Sequence, residues 1–482
     1  MRNGRYWLQT LGCPKNQVDS EKLAGLLEAE GLVPSSAPDR ADLVVVNTCA
    51  FIDAARQESI DAVLELADAR RAGSRLVVTG CMAERYGDEL AAALPEVDLV
   101  AGFGRRLVPS DESAAAPARA KVELRPRGRG TSASHAPAPS PALESFDLLS
   151  LPRPPSLSPW AYVKVAEGCD RRCGFCAIPS FRGAQRSRTL LDVLAEVRGL
   201  ASDDTMPVKE VVLVAQDLAS YGRDRTAARR GDPRRGSRPA PLVSLVESVA
   251  EVVERTRLLY LYPSGLTGEL IEAVLATGVP YFDLSLQHVS RPLLARMRRW
   301  GEGERFLERI EAIRRVEPRA TFRSSFILGY PGETEEDHDA LLEFLEAAQL
   351  DWAGFFTFSK EAGTFAERLD DQVPGELALE RLRECTELQD VITARRRDLL
   401  VGEVREVLVD APGRGRTVHE APEIDGVVRV PPTLPVGTIV DVVLTASLGT
   451  DLVGEPPEAL REGAPSAPAD WPAAPPEAAA RR

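Results

Sequence analysis

The chain has 482 residues, 44% of them hydrophobic, with 59 basic and 73 acidic residues and a formal net charge of −14. That length can bury two or three cores, and the acid excess argues against a general nucleic-acid binder, whose affinity rests on neutralising phosphates. No apolar run reaches the ~18 residues of a membrane span, and the N-terminus enters a strand-like segment at Tyr6 to Gln9 without a signal-peptide pattern, so a cytoplasmic protein is expected. Seven cysteines in such a protein read as metal ligands and not as a disulfide framework.

Residues 1–104 alternate apolar runs with helical patterns, as βαβ units around an open parallel sheet do. The runs Arg5 to Thr10, Asp42 to Thr48 and Arg75 to Gly80 each lead to a cysteine: Cys13, Cys49 and Cys81. Leu23, Leu26 and Leu27 before Gly31, and Ile60, Val63, Leu64 and Ala67, recur at helical spacing and can cover the sheet. Ligands in such sheets bind beyond the carboxyl ends of the strands. Any one of these thiols alone reads as a core residue; three in the same structural position read as a ligand set.

Residues 105–159 turn to Ala, Pro, Ser and Gly, which reads as a linker, with disorder expected over much of 108–142. From Trp160 to about residue 400, six strand-like runs alternate with helical patterns: Ala161 to Glu167, Glu210 to Gln216, Arg257 to Tyr262, Tyr281 to Gln287, Thr321 to Leu328 and Trp352 to Ser359. Six βα units make a partial (β/α)6 barrel whose chemistry belongs at the strand C-termini. Arg223 to Arg238 reads as a basic surface loop, and Pro374 to Leu400 as a charged helix carrying Cys385, a non-ligand. Short β runs over 401–454 suggest a small β-barrel, and 455–482 a disordered tail.

Directly after the first barrel run stands Cys169-x₃-Cys173-x₂-Cys176. A 4Fe-4S cube held by three thiolates keeps one iron open to a small molecule, much as a catalytic zinc keeps an open position. A structural zinc would need a fourth ligand, which no nearby His or Cys supplies. An electron carrier would normally close its cluster with four protein ligands.

The spacing resembles the radical S-adenosylmethionine enzymes, and the wider set of motifs resembles their methylthiotransferase family. Those motifs are Leu11-Gly-Cys-Pro-Lys-Asn, Asn47-Thr-Cys-Ala-Phe, Gly80-Cys-Met-Ala-Glu, Gly168-Cys-Asp-Arg-Arg-Cys-Gly-Phe-Cys, Gln216-Asp-Leu-Ala-Ser-Tyr-Gly and Phe326-Ile-Leu-Gly-Tyr-Pro-Gly-Glu-Thr. The match favours the branch that places a methylthio group on the β-carbon of an aspartate in small-subunit ribosomal protein S-twelve. The resemblance implies two 4Fe-4S clusters. Cys169, Cys173 and Cys176 would hold the one that cleaves S-adenosylmethionine, and Cys13, Cys49 and Cys81 an auxiliary one carrying the sulfur. It implies an electron donor as partner and two S-adenosylmethionines per cycle, with no catalytic side chain beyond the clusters and the adenosyl radical. Gln216 at a strand end and the turn from Gly329 to Glu333 are candidate cofactor contacts; His288 reads as structural.

The 401–454 segment resembles the TRAM module, an OB-like barrel. It has four basic residues against eight acidic ones, a balance of −4, and no Phe, Tyr or Trp. That balance suits a basic ribosomal protein held over the site and disfavours the rival reading, a tRNA adenosine methylthiotransferase, which would want aromatics on a basic surface. No stable nucleic-acid binding is expected.

Overall fold

Leu43–Thr48, four aliphatic residues followed by Asn and Thr, buries all six of its side chains, as a strand inside a parallel sheet covered on both faces does. In the computed structural model, which describes residues 4–108, 146–227 and 240–458, this strand (β3) lies between β1 (Arg5–Thr10) and β4 (Arg75–Gly80). The short strands β2 (Val33–Pro34) and β5 (Leu99–Val100) complete the five-stranded order β2-β1-β3-β4-β5. The pairings are parallel, with Thr10 opposite Asn47 and Thr48 opposite Gly80. The three long strands therefore end level with one another. Helices Pro14–Ala29, Asp53–Ala69 and Cys81–Ala93 are the crossovers.

The chain divides into two compact units, Met1–Pro154 and Pro155–Arg482. The first unit reaches beyond the expected boundary at 104. Leu107, Leu148 and Leu149 are buried, and Lys22 Nζ donates to the carbonyls of Leu149 (3.0 Å) and Leu151 (3.1 Å). Composition reads 105–159 as linker because Ala, Pro, Ser and Gly dominate it as a whole; in 146–154 three leucines and the bonds to the buried Lys22 ammonium suffice to fold it back. The expected disorder over most of 108–142, the insert beyond residue 227 and the tail past residue 458 fall outside the described residues. The start of the insert is the short helix Arg223–Ala227, not a loop.

In the second unit, β6 (Trp160–Lys164) is followed by the antiparallel ribbon of β7 (Ala166–Glu167) and β8 (Arg186–Ser187). Strands β9 (Glu210–Val214) and β10 (Arg255–Leu258) join β6 in one parallel sheet, and β11 (Tyr281–Gln287), β12 (Thr321–Leu328) and β13 (Trp352–Thr357) form another. A parallel bridge between Leu261 and Leu284 links the two, so the six βα units make an open barrel. The run expected at 257–262 starts two residues earlier and breaks at Tyr260, whose φ is 64° and whose N–H donates to Asp283 Oδ2 at 2.9 Å. A single aliphatic core between strands and helices includes Cys385, from helix Gly375–Asp398.

Strands β14 (Val404–Ala411), β15 (Arg414–Arg416), β16 (Val428–Arg429), β17 (Ile439–Leu448) and β18 (Asp451–Glu455) close a small barrel. Its segment 416–425 plugs the barrel at the amino ends of the strands. Arg416 bonds Glu210 (2.9 Å) and Asp410 (2.6 Å), Arg257 bonds Glu210 (2.7 Å) and the Val418 carbonyl (3.1 Å), and Tyr281 Oη donates to Asp425 at 2.5 Å. Trp352 Nε1 donates to the His419 carbonyl at 2.9 Å, and Arg397 pairs with Glu420. Burial works against the charge of Glu210 and Glu420, yet Arg416 and Arg257 for the first, and Arg397 for the second, hold each carboxyl at about 2. The module thus packs at the end of the strands opposite the cysteine loop.

Part of the acidic balance is internal as well. Asp410, Glu420 and Asp425 belong to this floor, Asp451 pairs with Arg429, and Glu403 with Arg405 and Arg319.

His419 gives the floor a pH signature. Its Nδ1 lies 2.7 Å from Thr321 Oγ1, and burial holds the imidazole down to about 4. The unfolded chain binds this proton near pH 6.5, the folded chain only near 4, so the stability it contributes is complete above 6.5 and is lost as pH falls. Urea titrations should show the parent losing roughly 1.4 kcal/mol per pH unit more than His419→Gln between these limits. Parallel pH profiles would refute this.

Candidate functional site: two sets of three thiols

Each first-unit cysteine follows the end of a long strand, and Asn16 ties the three together. It lies in the first turn of helix Pro14–Ala29, whose N-cap is Cys13, and its N–H donates to the Cys13 carbonyl at 2.8 Å. Its buried Nδ2 donates to the carbonyls of Leu11 (2.9 Å) and Thr48 (3.1 Å), and its Oδ1 accepts from Cys81 Sγ at 3.5 Å. A Cβ at Gly12 would stand 3.0 Å from Cys49 Sγ and 3.3 Å from Asn16 Nδ2, which brings the second thiol to the same place. Gly80 makes the turn into Cys81 at φ 92°, where a Cβ would lie 2.2 Å from Asn47 Oδ1.

Asn16 was not singled out from sequence; the available signal was a small amide three residues past a strand-end cysteine. Asn16→Ala would strand two buried carbonyls, so a loss of about 2–4 kcal/mol in denaturant stability is expected, together with loss of any iron that Cys13, Cys49 and Cys81 would hold. An unchanged unfolding midpoint would show that the amide ties nothing.

In the second unit the loop 169–176 is pinned from both sides. Gly174 N–H donates to the Met297 carbonyl and its own carbonyl accepts from Ala366 N–H, both at 2.8 Å. A side chain at Gly174 would meet Tyr330 Oη at 2.8 Å and Phe365 at 3.2 Å. Cys169 Sγ accepts from Arg171 N–H and Cys173 Sγ from Arg299 Nη1, each at 3.4 Å. Burial pushes the Cys169 thiol up to about 11 and the Cys176 thiol up to about 12, so neither ionises near neutrality without added positive charge.

Among the described residues no three His, Cys, Asp or Glu side chains gather tightly enough to hold one metal ion. Two separate sets of three thiols fit a polynuclear iron–sulfur group, in which each thiolate would take its own iron.

Beside the loop, Glu167 is bound by Lys164 (2.7 Å), Arg182 (3.1 Å) and Gln216 Nε2 (2.7 Å). Burial opposes its charge, but Arg182 and Lys164 prevail and hold the carboxyl at about 2. The buried Oε1 atoms of Gln216 and Gln185 accept no hydrogen bond among the described residues, which suits a ligand donor. The turn expected at Gly329 to Glu333 behaves otherwise. Glu333 Oε2 accepts from the N–H groups of Gly329 and, at 3.1 Å, Tyr330, so those amides are occupied by the protein itself. Gly329 is required there by packing, since its φ is 73° and a Cβ would lie 2.5 Å from Ala378. His288 is fully buried with Nδ1 accepting from Ser290 N–H at 3.1 Å, in keeping with a structural residue.

Three family descriptions match the chain: Uncharacterized protein family UPF0004 over residues 5–102, the Radical SAM superfamily over 163–345 and a TRAM domain over 401–456. The chain is 42% identical to a protein of Kineococcus radiotolerans and to one of Streptomyces coelicolor, each named ribosomal protein uS12 methylthiotransferase RimO, over 93% of this chain and 96% of each relative. Among solved structures, the cobalamin-dependent S-adenosylmethionine radical enzyme OxsB matches with a TM-score of 0.43 at 11% identity, covering 80% of this chain and 56% of that one.

Proposed function

The chain belongs to the RimO family of methylthiotransferases, and on that premise we propose that it methylthiolates the β-carbon of an aspartate in ribosomal protein S-twelve, in the cytoplasm. What carries this reading is the pair of three-cysteine sets, Cys13, Cys49 and Cys81 just past the ends of three strands of the first unit and Cys169, Cys173 and Cys176 on one loop of the second. Cys169, Cys173 and Cys176 would hold one 4Fe-4S cluster, and Cys13, Cys49 and Cys81 a second. When bound, these groups and S-adenosylmethionine supply hydrogen-atom abstraction, electrons from a donor protein, and the sulfur and methyl to be transferred.

The chain's own residues hold and orient. The Gly174 backbone bonds keep the cysteine loop in one conformation. Gln216, fixed by Glu167, turns its unpartnered Oε1 to a cofactor N–H or O–H. Glu167 acts as the anionic centre of a charge cluster and carries no proton at neutral pH. Gly329 and Glu333 shape the wall without touching the cofactor through their amides.

The missing aromatics of 401–454 and the names of the relatives favour the ribosomal protein over tRNA as substrate, and no stable nucleic-acid binding is proposed. Intact-mass analysis of ribosomal proteins from cells with and without the gene tests the reading. A methylthio-sized increment on S-twelve should depend on the gene; an increment on tRNA in its place would install the rival activity.

A further inference from the structure

Two arginines approach the cysteine loop of the second unit, and they differ in how their charge is balanced. Arg171 donates its backbone N–H to Cys169 Sγ, while its guanidinium bonds Asp217 at 2.6 and 3.5 Å. Its charge is cancelled locally. Arg299 donates Nη1 to Cys173 Sγ at 3.4 Å and Nη2 to the Ser285 carbonyl. Among the described residues no carboxylate pairs with it, and its buried Nε has no acceptor.

Both guanidinium groups lie on the ring of Tyr262, at 3.7 Å for Arg171 and 4.2 Å for Arg299, and Tyr262 Oη accepts from Trp300 N–H at 3.2 Å. The residues around Arg299 are also tied down, since the Met297 carbonyl receives Gly174 N–H and the Arg296 carbonyl receives Tyr330 Oη–H. A half-buried, uncompensated cation is thus held against a cysteine sulfur by a rigid frame. The arrangement exceeds what a surface arginine needs.

We propose that Arg299 sets the reduction potential of the group bound by Cys169, Cys173 and Cys176. The inference rests on the reading of that site as a 4Fe-4S cluster. Reduction adds one electron, delivered by a one-electron donor protein that is itself oxidised by one, and makes or breaks no bond. The added negative charge is spread over iron and sulfur, including Cys173 Sγ. A fixed guanidinium bonded to that sulfur favours the reduced form, because hydrogen bonds and net charge around the sulfurs tune such potentials. Arg299 is therefore a positioning and tuning residue, with no part in the bonds that change.

The test is an EPR-monitored redox titration of the full chain carrying Cys13, Cys49 and Cys81 replaced by Ala, so that one cluster reports. Arg299→Gln should make reduction at least tenfold harder, which lowers the midpoint by about 59 mV for one electron. Arg299→Lys, which keeps the charge, should remain nearer the parent. Asp217→Asn should move the midpoint the opposite way, because it uncovers the charge of Arg171. If the triple replacement does not fold, the same variants in the otherwise unaltered chain are read from the signal that changes on adding S-adenosylmethionine. Midpoints that do not move, or that move in the same direction for Arg299→Gln and Asp217→Asn, overturn the inference. Failure of the parent to bind any cluster whose signal depends on Cys169, Cys173 and Cys176 overturns the underlying reading instead, and iron analysis separates the two results.

Discussion

Replacing Cys169, Cys173 and Cys176 together by Ala is expected to abolish formation of deoxyadenosine from S-adenosylmethionine and to leave about half the bound iron. The reason is local. The loop that carries these thiols is held by Gly174 bonds to Met297 and Ala366 that do not involve sulfur, so the variant should keep its fold while losing its donors. Replacing Cys13, Cys49 and Cys81 should have the complementary outcome, with cofactor cleavage kept and methylthiolation lost. Full iron content in the first variant would remove the assignment of the loop, and unchanged product in the second would remove the auxiliary role.

The second large effect is expected where no chemistry takes place. Glu210 is fully buried between Arg257 and Arg416, at 2.7 and 2.9 Å. Glu210→Ala leaves two buried guanidinium groups without their shared partner, and breaking such a pair costs about 3–5 kcal/mol. Thermal or urea unfolding of the loaded chain should show that loss, whereas Glu406→Gln, an exposed residue of the same module, should change stability by roughly 0.5 kcal/mol or less. Equal, small effects for the two would mean that the floor is not stabilised by its ion pairs. The same geometry predicts that a chain ending before Val401 does not retain cofactor cleavage. Such a truncation strips Arg257, Tyr281 and Trp352 of their partners in 416–425. A simple reading of the domain order expects the opposite.

The donors were legible early because cysteine spacing is a local property. Three thiols within eight residues can be counted along the chain, and three more could be placed by noticing that each follows an apolar run. The strands Tyr281–Gln287 and Thr321–Leu328 were recognisable for a similar reason, being short runs in which buried apolar residues recur between polar ones. Gln216 could be named from its position at a strand end, although its partner Glu167 could not.

Other features depend on what meets across large separations. Asn16 touches Thr48 at the end of β3 and Leu11 and Cys81 just past the ends of β1 and β4, and Arg299 reaches Cys173 across 126 positions in the chain. The turn at Gly329 looked like a set of amides awaiting a ligand until Glu333 folded back onto two of them.

By itself, the sequence determined the six candidate donors, the order of the helices and strands and the family, because these follow from residue type, spacing and periodicity. Only the tertiary structure decided where charge counts. Three of the eight acidic residues that made 401–454 look like a docking surface, Asp410, Glu420 and Asp425, are paired inside the floor of the barrel. Arg171 and Arg299, alike in sequence, differ because one has a carboxylate beside it and the other has a cysteine sulfur. A charge's effect is set by the partners and solvent around it, and those are fixed by packing between residues far apart in the chain.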